Sequence, residues 1–435
     1  MLAHVVRLMP HMGRPRRVAP TGIAMMNRHV GADLCVRPGP CVRRRRPARL
    51  YPPTLTLLHS EQSEHCEHCE HSEHSAVHFA LCPPASILRD YWVASVRNTA
   101  VSYVPQWDIQ ILQWLQGLGA WLYAPMQVAT FVSSSEFLLF LLPMLYWCVE
   151  PALGLNLGVL FMTCAGTSEA LKLALHRPRP YWLSWPGQEL QVWAAETTFA
   201  MPSGHTQNGS AALWLLASRM RGARAWALAV FLAFLVGCSR VYLGVHWPSD
   251  VALGWLVSAL LFAAFERLRR PVATRLAAMR LRYALLAVVI ASMLLLGASI
   301  TARASHGDWR LPVEWAATAE ALSGEPIDPL SLENASLAAG MLLGVGWGAL
   351  LMNQRGGFSV SGSLVQRTGR LVIGFAGMLP IWLGLARLFP ESGLLCCMGR
   401  YLTSSLVGLW VSLGAPLLFR RMRLARGMSV RPAQG

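Results

Sequence analysis

Three short polar clusters hold the residues of this chain that can do chemistry. The first is Lys172 with Arg179 and Pro180, the second Pro202-Ser203-Gly204-His205, and the third Ser239-Arg240 followed by His246 and Asp250. Each stands at the end of a long apolar run, where a membrane helix meets water. Lysine offers a point charge and arginine a planar fork, a pair suited to gripping the oxygens of an anion such as phosphate. If helix persisted from Lys172 to Arg179, two turns would set both cations on one side, but Pro178 and Pro180 end it and turn the backbone outward. Cations at a span's end can also simply snorkel.

The second cluster should form the first turn of the helix after it. Free N–H groups and the positive end of the helix dipole favour an anion there, and Gly204 lets it approach the backbone. Ser203 either caps this helix or joins the cradle. A cap leaves His205 unexplained, whereas a protonated ring beside a bound anion can deliver a proton to a leaving oxygen. In the third cluster Pro248 suits the first turn of a helix. A carboxylate four residues beyond an imidazole can accept its N–H, which fixes the tautomer and frees the other nitrogen as a nucleophile; the alternative is an ordinary salt link.

The elements that position these groups are membrane helices. At 435 residues, 54% hydrophobic and 14% charged, the chain reads as all-α and polytopic rather than as a soluble enzyme. Spans are expected at 137–148, 153–173, 208–218, 225–243 and 251–265, then at 283–300, 335–352, 371–388 and 401–419. Residues 108–133 place Ile109, Ile111, Leu112, Trp114, Leu115 and Leu118 among glutamines at helical spacing, which predicts a helix lying on the membrane surface. Gly340, Gly344 and Gly348 share a helix face and predict close helix contact.

The formal charge of +16 invites a nucleic-acid partner, but the arginines crowd into the N-terminal tail and a few loops, so no nucleic acid is expected. Arg219, Arg221 and Arg224, the basic stretch 267–282, and Arg355, Arg367 and Arg370 alternate with the acidic loop 301–334. By the positive-inside rule all three clusters then face the non-cytoplasmic side, the periplasm or outside of an inner-membrane protein. Lys172 is the only lysine in the chain, a singular retention in an arginine-biased sequence. Among the ten cysteines, Cys148, Cys164, Cys238, Cys396 and Cys397 lie in or beside apolar runs and read as small buried hydrophobes. Residues 1–100 read as a disordered or misassigned tail, in which Cys66, Cys69 and nearby histidines have a spacing that zinc could use but more simply belong to a low-complexity repeat.

The spacings K-x6-R-P, P-S-G-H and S-R-x5-H-x3-D, all matched in order, resemble the type 2 phosphatidic acid phosphatase family, which includes vanadium haloperoxidases and bacterial undecaprenyl-diphosphate phosphatases. The resemblance covers about Asp108 to Glu266. It implies that Lys172, Arg179, Ser203, Gly204 and Arg240 bind phosphate, that His246 attacks phosphorus, that Asp250 orients it and that His205 protonates the leaving group. That scheme calls for no metal or cofactor. The expected organisation is a catalytic core over 101–270 and further membrane helices over 271–435, whose role and oligomeric consequences stay open. The expected partner besides the bilayer is a lipid phosphate: polyprenyl diphosphate, phosphatidate, phosphatidylglycerophosphate or a sphingoid phosphate. Trp182, Trp185 and Trp193 would line the interface. A phosphotransferase using the same site, a haloperoxidase and a lipid transporter or flippase are the rival readings.

Overall fold

The computed structural model describes residues 104–183 and 190–427; the tail over 1–100, with Cys66 and Cys69, and Trp185 lie outside these residues. Helices dominate. α1 spans Gln106–Gly117, α2 Tyr123–Val132 and α3 Ser135–Met144, and a π-helical turn over Leu145–Val149 leads into α4, Pro151–Leu175. α5 (Gly204–Met220), α6 (Ala223–Tyr242) and α7 (Pro248–Ala278) complete the region that carries the three clusters. Beyond them come α8 (Leu281–Ala304), the short α9 (Val313–Ser323), α10 (Glu333–Gln354), α11 (Leu364–Ala386), α12 (Gly393–Leu409) and α13 (Ala415–Arg421).

Seven of these helical segments are long and apolar enough to cross a membrane, and the protein is an integral membrane protein. The expected surface segment 108–133 divides. Only α1 keeps the amphipathic character, with Trp107, Ile111 and Trp114 exposed and Asp108 and Leu112 buried. α2 instead runs into α3 and the π turn across a bend of 49°. The bend falls at Ser133-Ser134, where the Ser134 hydroxyl accepts the Phe137 N–H at 3.2 Å and starts a new helix. The expected span 137–148 falls on α3 and the π turn that follows it. α5, at 17 residues, is about 25 Å long, short of the hydrocarbon thickness of about 30 Å.

Helix ends follow local chemistry. α4 opens on Pro151 in its first turn and closes on His176 at φ 48°, the left-handed cap after which Arg177-Pro178 leads away. α7 outlasts the apolar run that was expected to end at Phe265, because Glu266 is flanked by Arg219 at 3.3 Å and Arg269 at 2.9 Å and the helix continues as a polar one. α11 runs through Pro380 without ending.

Outward faces are greasy: Leu228, Phe231 and Phe234 on α6, Leu256 and Leu260 on α7, and Leu286, Ile290 and Leu294 on α8 are exposed, as lipid-facing positions must be. Cys238 and Cys397 are only half-buried, unlike Cys148, Cys164 and Cys396. Inside, Leu157, Leu160, Phe161 and Cys164 of α4 pack with Ala211 and Leu215 of α5, and Met341, Met378 and Val407 of the later helices join the same core. The later helices are therefore built onto α4 rather than hung beside it.

The glycine face of α10 packs as its spacing predicts. A Cβ on Gly340 would lie 2.2 Å from the Tyr401 carbonyl oxygen, and one on Gly344 would lie 1.9 Å from that of Ser405. Both obstacles are backbone and cannot rotate away. Gly344→Ala should therefore cost about 1–3 kcal/mol of stability. Gly297→Ala, where nothing lies within 4 Å, should cost nothing. Thermal unfolding of the solubilised protein checks the pair, and equal midpoints for the two variants would contradict the packing.

Candidate active site

The ends of four helices and two connectors meet at the site, His246 standing on the link between α6 and α7. Lys172 reaches it from the last turn of α4, Ser203 to His205 from the start of α5, Arg240 from the last turn of α6, and Asp250 from the first turn of α7. Arg179 and the stretch 190–203 come from the link between α4 and α5. Two close backbone ties hold that link down: Ala200 N–H donates to the Arg177 carbonyl at 2.9 Å, and Ser203 N–H donates to that of Asp250 at 3.1 Å. The second joins the starts of α5 and α7, and they approach so closely that a Cβ on Gly254 would meet the Ser203 oxygen at 3.0 Å.

Arg179 is the best-held cation. Its Nε donates to the Thr198 carbonyl at 2.6 Å, Nη2 to that of Phe199 at 3.0 Å, and Nη1 to that of Val245 at 3.0 Å. Nη1 also lies 3.2 Å from His246 Nε2. A guanidinium has only donors, so Nε2 must accept and the ring proton must sit on Nδ1. Nδ1 in turn faces Asp250 Oδ2 at 3.5 Å. The Asp250 carboxylate is itself fixed by the Trp247 N–H at 2.8 Å, the N-terminal capping contact that its place in the first turn of α7 provides. His246 is thus presented with Nε2 unprotonated and directed at the cations.

Lys172 Nζ donates to Glu169, one turn back on the same helix, at 2.8 Å and to the Thr198 hydroxyl at 3.1 Å. A Cβ on Gly204 would lie 3.8 Å from Nζ, so the glycine leaves open the space beside the ammonium. Ser203 is the residue before α5, but its hydroxyl makes no capping bond and accepts from Thr206 at 3.0 Å.

At the centre stands a residue that no motif signalled. The Glu196 carboxylate is 2.7 Å from Arg179, in close contact with Arg240, 3.6 Å from His205 Nδ1 and 4.0 Å from His246 Nε2. Burial alone would raise its pKa, but Arg179 and Arg240 hold the carboxyl well below the usual carboxylate range. The Tyr181 hydroxyl fixes its backbone, donating to the Glu196 carbonyl at 2.7 Å and accepting its N–H at 2.8 Å. Glu196 is the only acidic residue between Glu189 and Asp250, a signal available in the sequence though not one that states a role. The structure therefore brings all eight expected residues to one place and fills the centre with an anion of its own.

Trp182 and Trp193 do not line a lipid interface. Both are buried, clustered with Tyr181, Phe199, Tyr242, Leu243 and Val245, because the link they stand on folds over the helix ends instead of lying along the membrane. The exposed tryptophans of this region are Trp107, Trp114 and Trp121.

Residues 153–273 match the model of the PAP2 superfamily. The chain carries a PAP2 superfamily domain. A second match covers 336–427, the transmembrane extension of PAP2 superfamily phosphatases, and so accounts for most of the helices after α8. Over 110 residues the chain is 33% identical to an undecaprenyl-diphosphatase of Sulfolobus acidocaldarius, a match covering 25% of this chain and 50% of the relative. Over 114 residues it is 30% identical to a phosphatidylglycerophosphatase B of Bacillus subtilis, covering 24% and 54%. The chain thus spans about half the length of these two relatives. The crystal structure of a transmembrane PAP2-type phosphatidylglycerolphosphate phosphatase from Bacillus subtilis matches 42% of this chain and 94% of that one, at 25% identity and a TM-score of 0.33.

The PAP2 site carries two expectations. Glu196 holds the space between Arg179 and Arg240, so Glu196→Gln should tighten inhibition by vanadate about tenfold, the worth of about 1.4 kcal/mol. A weaker inhibition would make Glu196 part of the bound site rather than a competitor. Burial, followed by the Arg179 guanidinium, holds the His246 pKa well below its ordinary 6.5. The free enzyme's acidic limb in kcat/KM, corrected for substrate ionisation, should accordingly fall below pH 6.5, and a His246-dependent limb at or above that pH would contradict the geometry.

Proposed function

We propose that the protein is an integral membrane phosphatase that hydrolyses a lipid phosphate or diphosphate through a phosphohistidine on His246. The observation that carries this reading is the pairing at His246: Nδ1 faces Asp250 while Nε2 faces Arg179 and the centre of the cationic cup. A phosphoryl group in that centre would take the place of the Glu196 carboxylate, its oxygens on Arg179 and Arg240, with Lys172 and the free N–H groups at the start of α5 alongside. Charge fixed in advance around the transferring group is the main way proteins speed this reaction.

His246 Nε2 attacks phosphorus, and the bond from phosphorus to the lipid oxygen breaks. His205, taking up a proton as the dianion enters, passes it to that oxygen. Water then attacks the phosphohistidine, giving its proton to His205, and the P–N bond breaks to release orthophosphate. Ser203 and Gly204 complete the cradle. As a carboxylate, Asp250 stabilises the charged ring of the intermediate.

The names of the two relatives point to polyprenyl diphosphates and phosphatidylglycerophosphate as first substrates to try. A lipid suits the exposed apolar faces of α6 and α7, the two helices that bear Arg240 and Asp250. The division into a catalytic core over 101–270 and a membrane extension over 271–435 belongs to the same proposal. So does the placement of the site at the periplasmic face of the inner membrane, which rests on the arginine-rich loops at the opposite ends of the helices.

Orthophosphate release from dioctanoyl phosphatidate and farnesyl diphosphate tests the reading. His246→Ala should lose at least about a thousandfold in kcat, and His205→Ala about a hundred- to ten-thousandfold, the usual worth of a general acid. Full activity in both variants would reject the site. Transfer of phosphate to an added lipid alcohol without free orthophosphate would replace hydrolysis by phosphotransfer.

A further inference from the structure

Two buried charged groups near the site have no part in this scheme. Asp108 stands in the first turn of α1, and Arg177 lies between the end of α4 and Arg179. Arg177 Nη2 donates to Asp108 Oδ2 at 2.5 Å, while Nη1 lies 3.2 Å from Asp250 Oδ1 and touches the Ser249 hydroxyl. Ser249 adds two bonds to the same carboxylate, from N–H to Asp108 Oδ1 at 2.8 Å and from its hydroxyl to Oδ2 at 2.5 Å. Asp108 is fully buried, and Arg177 nearly so.

The result is a relay of alternating charge: Asp108, Arg177, Asp250, His246. One guanidinium serves two carboxylates, and only the second of them faces the nucleophile. At the other end of α1, the Gln116 amide donates to the carbonyls of Gln191 at 2.8 Å and Tyr242 at 3.0 Å. The helix is therefore braced at both ends, but only the Asp108 end touches the histidine's partner.

The geometry points to Asp108 and Arg177 as positioning residues for the nucleophile, dividing the guanidinium's charge so that Asp250 is held in place yet left anionic toward His246. This deepens the phosphohistidine reading and rests on it. With Asp108 neutral, Arg177 gives its whole charge to Asp250, which then does less to stabilise the charged ring. With Arg177 gone, neither carboxylate is offset by its cation, and the added negative charge beside His246 favours the charged ring. Besides these two groups Asp250 faces Arg179 and His246, while His246 faces Arg179, Arg240, Lys172, Glu196 and Asp250. All of those are unchanged in the Asp108, Arg177 and Gln116 variants below.

The test uses the full-length protein and dioctanoyl phosphatidate, with kcat and KM measured across pH for Asp108→Asn, Arg177→Gln, Arg177→Lys, Gln116→Ala and His246→Ala. Asp108→Asn and Arg177→Gln should each lower kcat about tenfold or more, the loss of a charge-assisted hydrogen bond, with KM within about twofold. The acidic limb of kcat/KM should move down in Asp108→Asn and up in Arg177→Gln. Arg177→Lys keeps the charge without the fork, so it should restore the limb and part of kcat even if the glutamine variant folds poorly. Gln116→Ala loosens α1 at its far end and should leave the limb where it is. Wild-type kcat and an unmoved limb in both charge variants, with His246→Ala inactive, would overturn the relay while sparing the nucleophile. Phosphate release by His246→Ala would overturn both.

Discussion

Burying three cations side by side is costly, and most of the structure at this end of the bundle answers that cost. Arg179, Arg240 and Lys172 are 0%, 2% and 6% exposed. Charges so placed survive only when paired and hydrogen-bonded. Lys172 takes Glu169, and Arg179 takes three backbone carbonyls from two different connections. Arg179 and Arg240 share Glu196, which offsets one of their two charges. On the proposed reading the cup carries a monoanion of its own until a phosphoryl dianion displaces it, which would favour a doubly charged group over a weaker anion.

That arrangement needs a rigid frame, and the frame extends beyond the helices that bear the motifs. The connector that carries Glu196, Thr198 and Phe199 lies under the segment after α8. His306 meets His176 edge-on, with ring centroids 3.8 Å apart, and Trp309 packs against Phe199, with ring centroids 5.6 Å apart. Trp315 of α9 faces Trp182 at 6.4 Å. On the far side of α4, α8 and α10 pack along its length. The extension therefore presses on the link that holds Arg179 from above and on the helix that holds Lys172 from the side.

Much of this was legible in the sequence, for a plain reason. Apolar runs of membrane length favour helices, and each expected span coincides with helix apart from one or two residues at its end. The three motifs were legible because helix termini dictate where their residues can stand: His246 and Asp250 are four apart at a helix start, and Gly340, Gly344 and Gly348 are a helix period apart. Glu196, Asp108 and Arg177 were not legible as site residues, because partners such as Arg240 for Glu196, Ser249 for Asp108 and Asp250 for Arg177 lie 44, 141 and 73 positions away and no periodicity encodes such distances. The bend at Ser133-Ser134 was hidden because serines and Glu136 look like the end of a span although helix stands on both sides of the bend. Trp182 and Trp193 misled for the opposite reason: a tryptophan near a membrane surface settles equally well against lipid or against a folded connector.

The claim that the cationic cup exchanges its own carboxylate for a phosphoryl group is tested most directly by a structure of the protein with orthovanadate. The account predicts vanadium bonded to His246 Nε2, its oxygens on Arg179 and Arg240, and the Glu196 side chain turned out of the cup. Vanadate bound elsewhere, with Glu196 still bridging the two arginines, would contradict it.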